Sequence, residues 1–134
     1  MFNLPEDLKL VVRVIPHEQQ RYPTVGDWYY SRGFLHICVS DMRNPHYHFL
    51  VAVHEWIEAV LCEKAGITEA AVTAFDLEFE ERRARGEVEP FAEPGNDETA
   101  PYYNQHQLAT QIEKILSVKL GVNWEEYDAA VNAL

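Results

Sequence analysis

The chain has 134 residues, of which 47% are hydrophobic and 25% are charged, a composition typical of one globular domain with its own core. Asp and Glu number 22 against 11 Lys and Arg, and the resulting net charge of -11 disfavours binding to nucleic acids or anionic membranes. The start of the sequence is acidic and no apolar run is long enough to span a membrane, so we expect a single cytoplasmic domain over 1–134. The two cysteines are too few for a disulfide framework.

The first third of the chain predicts a small β-sheet. LKLVVRVI, residues 8–15, is rich in β-branched side chains and stops at Pro16. After a loop, the runs DWYYS and FLHICVS are separated only by Arg32 and Gly33, which predicts a hairpin with alternating side chains in its second strand. These segments together predict an antiparallel or mixed sheet of about three strands within residues 8–40.

The rest of the chain predicts helices, because the hydrophobic period changes at Pro45 from two residues to the helical value. Gly66 suits the end of the first helix, and Thr68 suits the cap of the second. The predicted helices cover about 45–65, 69–85, 101–120 and 124–132. Between them, 86–101 holds three prolines, two glycines and five carboxylates, which predicts a long and functional loop. The predicted fold class is therefore α+β, a small N-terminal sheet followed by a helical C-terminal two-thirds.

The motif HEWIE, residues 54–58, places charged groups inside the first predicted helix. His54 and Glu58 are four residues apart, so they lie on one face of that helix and can both reach one metal ion. This face is the apolar stripe, where an unpaired charge is costly. The spacing is that of the H-E-x-x-H zinc motif with the second histidine replaced by glutamate, which is also a zinc ligand. Glu55 is turned by about 100° from His54 and is placed to act as a general base.

A third ligand is expected from the helix predicted after the long loop. His106 lies at the edge of the apolar stripe of that helix, and the small Ala109 beside it allows another helix to approach closely. Glu113, two turns further on, would orient a ligand through a hydrogen bond. A tyrosine at the start of the helix, Tyr102 or Tyr103, would donate a hydrogen bond to an oxyanion, and we assign this role to Tyr103.

Other residues carry weaker signals. Asp76 belongs to an acidic stretch that mainly predicts a solvated helix face. We also assign Asp76 a supporting role, behind the proposed metal ligands. A contribution from His36, on the third strand, or from Cys62, one turn beyond Glu58, stays open. The remaining histidines are typical of turns and exposed helix starts: His17, His46 and His48.

A sheet, a helix with HEWIE and a later helix with another histidine together resemble a minimal zincin-type metallopeptidase. The resemblance implies zinc, or another divalent metal, held by His54, Glu58 and His106, with Glu55 as the acid and base. The segments VSDM, HEWIEAVLCEKAGIT and APYYNQHQLATQIE, within about 36–128, also look like small phage- and prophage-type proteins, which implies the host cytoplasm. In this variant of the motif Glu58 adds negative charge, so a coordinated water is less acidic than it is with a second histidine.

Three functions stay open on the sequence alone. The first is a metal-dependent hydrolase of the peptidase type, with a peptide or protein substrate. The second is an Mg²⁺-dependent nucleotide pyrophosphatase, since Glu55 with Glu58 and Glu78 with Glu81 share the E-x-x-E spacing, although Mg²⁺ prefers oxygen ligands and the predicted strands disagree with an all-α fold. The third is a non-catalytic accessory protein with a structural or vestigial metal site, whose acidic surface would suit a basic protein partner.

Overall fold

A computed structural model describes residues 9–134 and has a three-stranded sheet followed by a set of helices. The strands are β1 (Leu10–Ile15), β2 (Gly26–Ser31) and β3 (Phe34–Ser40), and the helices are α1 (Pro45–Ala65), α2 (Glu69–Ala84), α3 (Tyr103–Lys119) and α4 (Trp124–Asn132). The predicted α+β class is therefore confirmed. Residues 1–8, where the predicted domain and its first strand begin, lie outside the described range.

The sheet is mixed, with the order β1-β3-β2. β2 and β3 form the predicted hairpin, and β1 pairs with β3 in parallel. At the hairpin turn Arg32 and Gly33 have φ angles of 54° and 80°, both left-handed, as in the two-residue turns that match the twist of a β-hairpin. β3 is the central strand of the sheet. Its inward side chains, among them Ile37 and Val39, are fully buried because α1 covers them.

α1 is the central helix, and its ends follow from local sequence. The Asn44 side chain accepts hydrogen bonds from the backbone N–H groups of His46 and Tyr47, and Pro45 occupies the first helical position. Gly66 ends the helix with a φ of 74°. The buried stripe of α1 mixes apolar with ionisable side chains: Leu50, Val51, His54, Glu55, Glu58, Ala59 and Cys62. Since α1 packs against both the sheet and α3, these ionisable groups are enclosed between them.

The remaining helices bring two further segments to the same region. α3 lies against α1 at Ala109, which is fully buried, as its small side chain predicts. The loop between α2 and α3 contains a short 3-10 turn at Pro94–Asn96 that packs against α3. Over residues 9–134, no helix combines the length and the apolar character that crossing a membrane requires.

Candidate metal centre

Three side chains from α1 and α3 converge on one point. His54 Nε2 lies 3.2 Å from Glu58 Oε2 and 3.1 Å from His106 Nδ1, and His106 Nδ1 lies 2.9 Å from Glu58 Oε2. Each residue is at least nine-tenths buried, with exposed fractions of 8%, 5% and 8% for His54, Glu58 and His106. The helical spacing of four residues brings the first two together, and the packing of α3 on α1 adds the third. We call these residues the candidate centre.

Carboxylates hold the two imidazole nitrogens that point away from the candidate centre. Glu113 Oε1 lies 2.8 Å from His54 Nδ1, and Glu93 Oε2 lies 3.1 Å from His106 Nε2. An ionised carboxylate can only accept a hydrogen bond, so each outer nitrogen carries the hydrogen. In the neutral rings the inner nitrogens, His54 Nε2 and His106 Nδ1, then present lone pairs. Carboxylates commonly hold metal-binding histidines in this way.

The three inner atoms suit a cation. Two lone pairs and a carboxylate oxygen repel one another at separations of 2.9–3.2 Å unless positive charge lies between them, either as protons on the imidazoles or as a metal ion in their place. Neighbouring ligands of a tetrahedral zinc, with bonds of about 2.0–2.1 Å, are roughly 3.3 Å apart, close to these separations. Two histidines and one glutamate are also an established donor set for zinc that keeps one position open. The residues present therefore fit a divalent metal of the zinc type.

Hydrogen bonds set the charge of Glu58 and of the two imidazoles. Burial alone would raise the pKa of Glu58, but its bonds with His106 and His54 lower that pKa to about 2. Burial would lower the pKa of His106, yet its bonds with Glu58 and Glu93 raise it to about 9. The pKa of His54 is raised in the same way by Glu113 and Glu58, against the effect of burial. Trp28 Nε1 donates to Glu58 Oε1 at 3.1 Å, which turns Oε2 towards the histidines.

Glu55 lies beside the candidate centre but takes no part in its hydrogen bonds. It is 8% exposed and has no hydrogen-bond partner among residues 9–134. Burial, followed by the nearby charge of Glu58, raises its pKa well above the ordinary value for a glutamate. A Cβ on Gly26 would lie 2.8–2.9 Å from Glu55 Cγ and Oε1, so a glycine is needed where β2 passes this side chain. Glu55 is thus a free carboxyl group against the edge of β2.

The candidate centre lies in the wall of a cleft of about 350 Å³ that is also lined by β2, α2, α4 and the long loop. Asp76 lines this cleft and is 7% exposed, so its interpretation as part of a solvated face is wrong. It accepts hydrogen bonds from Tyr22 (2.8 Å) and from Tyr102. The Tyr102 ring lies edge-on to the His106 imidazole, with centroids 6.1 Å apart. Asp76 therefore supports the site through tyrosine rather than by touching a candidate ligand.

Three of the other predicted contributors do not join the candidate centre. Tyr103 packs against the hydrophobic core and is not among the residues that line the cleft, so the structure does not bring its hydroxyl to the site. His36 stacks on Tyr29, with ring centroids 5.0 Å apart, on the sheet. Cys62 is fully buried, and burial raises the pKa of its thiol to about 12, which keeps it protonated. The assignment of Glu113 next to a ligand agrees with its contact to His54.

Sequence reasoning missed several residues around the site. The sequence predicts for Glu93 only a place in a functional loop, although Glu-Pro-Gly is a recognisable turn. A Cβ on Gly95 would lie 2.4 Å from His106 Cγ and Nδ1, so the loop reaches the imidazole only because this residue is glycine. Tyr127 donates to Glu113 Oε2 at 2.6 Å, and like Trp28 it comes from a distant element. No local pattern marks these long-range partners.

Comparison of the chain with protein-family models, with curated proteins and with solved structures found no match in any of the three.

Proposed function

We propose that the protein is a zinc-dependent hydrolase of peptide bonds. The observation that carries the proposal is the cluster of His54 Nε2, His106 Nδ1 and Glu58 Oε2 within 3.2 Å of one another, beside the unpartnered carboxyl of Glu55. The likeness of HEWIE to the zincin motif favours a peptidase among the hydrolases. The similarity to small phage- and prophage-type proteins, and the free, buried Cys38 and Cys62, favour the cytoplasm as its location.

The side chains divide the proposed chemistry between them. Zinc bound by two histidines and one glutamate supplies a Lewis acid that polarises a carbonyl and makes water more acidic. Glu55 takes the proton from the attacking water and delivers it to the leaving amine. A positive ion nearby favours the ionised form of Glu55, which burial alone disfavours. Glu113 and Glu93 hold the imidazoles in the orientation and tautomer that binding needs.

The pyrophosphatase alternative has less support. Its second carboxylate pair, Glu78 and Glu81, is exposed on α2 and is not among the residues that line the cleft. Its all-α fold also disagrees with the mixed sheet. Glu58 of the buried pair shares its cluster with two imidazoles, and no further carboxylate of the described residues joins that cluster, a donor set that suits zinc better than Mg²⁺.

Two substitutions on α1 test the proposal. Glu58→Ala removes a proposed ligand, so we expect metal content to fall from about one ion per chain towards zero. Glu55→Gln is nearly isosteric and should keep the metal, while hydrolysis falls by roughly 100-fold or more because the general base is lost. Glu78→Gln, an exposed carboxylate of α2, is the matched control and should change neither. The measurements are metal analysis of the purified protein and mass spectrometry of a digested peptide library.

Each result has a distinct meaning. Metal loss in Glu55→Gln with retention in Glu58→Ala would reverse the assigned roles of the two carboxylates. A wild-type protein that binds metal at full stoichiometry and cleaves no peptide would make the metal site structural and the protein an interaction module. A wild-type protein that binds no divalent metal would refute the proposal.

A further inference from the structure

Carboxyl groups dominate the charge of the cleft. Among the described residues, eight carboxyl groups line it against the single guanidinium of Arg83. Arg21 holds Asp27 through contacts of 2.7 and 3.0 Å, and Arg83 holds Glu80 through two contacts of 3.1 Å, so each of these pairs is neutral in itself. A divalent ion in the candidate centre balances only two of the six remaining carboxyl groups. The cleft therefore keeps an excess of negative charge even with metal bound.

Three of these six carboxyl groups contact no positively charged group. The other three touch the imidazoles of the candidate centre, whereas Glu55, Asp76 and Asp128 form no ion pair within residues 9–134. Glu55 is more than nine-tenths buried and has no hydrogen-bond partner there, and Asp76 accepts only from tyrosine hydroxyls. A buried carboxylate without a compensating charge is costly. A positively charged ligand would remove this cost.

Aromatic rings form much of the remaining wall of the cleft. The rings of Tyr22, Trp28, Phe91, Tyr102 and Trp124 line it, and Phe91 is 66% exposed on the long loop. The faces of aromatic rings attract ammonium and guanidinium groups. The same combination of rings and carboxylates disfavours a carboxylate or phosphate on the ligand, because such groups would add unpaired negative charge.

We propose that the cleft binds the positively charged group of its substrate, so that the protein acts on peptides with an ammonium or guanidinium group next to the cleaved bond. Asp76 is the main charge partner, and Asp128 attracts the cation from the rim. Asp76 is linked to the candidate centre through Tyr102 and His106, which places the cation close to the proposed hydrolytic site. The inference rests on the proposed function. The cation is either an N-terminal amine or a Lys or Arg side chain.

Four small probes test this by isothermal titration of the zinc-loaded protein at pH 7.5 and low salt. N-acetyl-lysine methylamide carries a side-chain cation and norleucine methylamide an N-terminal one. N-acetyl-norleucine methylamide is the neutral isostere, and N-acetyl-glutamate methylamide is the anion. We expect at least one cationic probe to bind 10-fold or more tightly than the neutral probe, and the tighter cation identifies its source. Peptides of matched charge should show the same order in kcat/KM.

Asp76→Asn should reduce the preference for the cationic probe about 10-fold while binding of the neutral probe is unchanged. Glu78→Gln, two residues further along α2 and exposed, is the matched control and should leave the preference intact. If Asp76→Asn does not fold by circular dichroism, Asp128→Asn at the exposed rim replaces it. Asp128→Asn should reduce the preference for the cationic probe by roughly 2- to 3-fold and make that preference less dependent on salt.

Equal binding of cationic and neutral probes, or tighter binding of the glutamate probe, would overturn the inference. Cleavage of peptides without regard to charge would also overturn it while leaving the hydrolase proposal intact. A cationic preference that depends on Asp76, in a protein that cleaves no peptide, would support the cation site and refute the hydrolase proposal instead.

Discussion

At the level of single residues, His106 is held from three directions. Glu58 faces its Nδ1, Glu93 faces its Nε2, and the backbone of Gly95 packs directly on the ring. Its position therefore depends on α1, on the loop and on the absence of a side chain at residue 95. A buried imidazole with a carboxylate at each nitrogen has little freedom to rotate, and such pre-orientation lowers the cost of binding an ion.

Asp76 gives a pH dependence that can be measured. Burial raises its pKa to about 6, even though the bonds from Tyr102 and Tyr22 lower it. Between the unfolded pKa of about 3.9 and about 6, the native state binds more protons than the unfolded state, so the free energy of unfolding falls as pH rises. Asp76→Asn removes this contribution. We expect the stability of wild type relative to the variant to drop by about 2–3 kcal/mol between pH 4 and pH 7, measured by urea unfolding.

The comparison in that experiment is made with Glu78→Gln, whose carboxylate is exposed on the same helix. Its stability relative to wild type should change little over the same pH range. A parallel pH dependence of wild type and Asp76→Asn would mean that Asp76 has the same pKa in the native and unfolded states and that burial does not raise it.

At the level of elements, one side chain of α2, Arg83, makes three hydrogen bonds to the long loop, whereas Arg82 makes a single one, to Asp97. The Arg83 guanidinium donates to the backbone carbonyls of Glu89 at 3.1 Å, Pro90 at 2.5 Å and Ala92 at 2.7 Å. These bonds fix the segment just before Glu93, which in turn contacts His106. A loop without regular structure would otherwise be the least stable part of the domain. The C-terminal end of α2 thus determines where the loop meets the candidate centre.

Replacing Arg83 with methionine keeps an unbranched side chain about as long as the apolar stem of arginine but removes all of the hydrogen-bond donors. We expect the loop to open more often, so that chymotrypsin cleaves after the exposed Phe91 at least several-fold faster than in wild type. Arg85→Met is the matched control, because Arg85 lies at the same end of α2 and its guanidinium donates to Glu87 at the start of the loop. Equal cleavage rates in the two variants would show that Arg83 does not hold the loop.

The elements themselves follow closely from local sequence, and their arrangement does not. α1 and α4 match their predicted ranges, since Gly66 and the Asn123 cap mark their ends, while α3 begins at Tyr103 rather than 101. The i, i+4 spacing likewise brought His54 and Glu58 together. The sequence predicts an antiparallel or mixed sheet without deciding between the two, because the order and direction of the strands depend on packing between distant segments. Trp28 and Glu93 escaped prediction for the same reason.

At the level of the whole molecule, the site is assembled from five separate segments. β2 contributes Trp28, and α1 contributes the HEWIE residues. Glu93 comes from the loop, His106 and Glu113 come from α3, and Tyr127 comes from α4. An unfolded chain cannot hold these groups together, so an ion that binds the site stabilises the folded state selectively.

Removal of metal should therefore lower the melting temperature. At a free metal concentration 1,000 times the dissociation constant, binding adds about 4 kcal/mol, which corresponds to roughly 15 °C for a domain of this size. We expect a chelator to remove this increment in wild type and in His46→Ala, an exposed histidine of α1, and to have almost no effect on His54→Ala. Calorimetric scans with and without chelator measure the difference. An unchanged melting temperature in wild type shown beforehand to contain metal would contradict the expectation.

The two histidines of the candidate centre face each other through different nitrogens, Nε2 in His54 and Nδ1 in His106. Their neutral rings consequently carry the hydrogen at opposite positions, so the two are different tautomers of one side chain. Long-range nitrogen–proton NMR spectra distinguish such tautomers, and the two rings should give separate, assignable patterns. A displacement of the long loop would change the His106 signals, because Glu93 of the loop contacts that imidazole. A displacement of α4 would change the His54 signals, because Tyr127 of α4 holds Glu113, which contacts His54. The two imidazoles thus report separately on the loop and on α4.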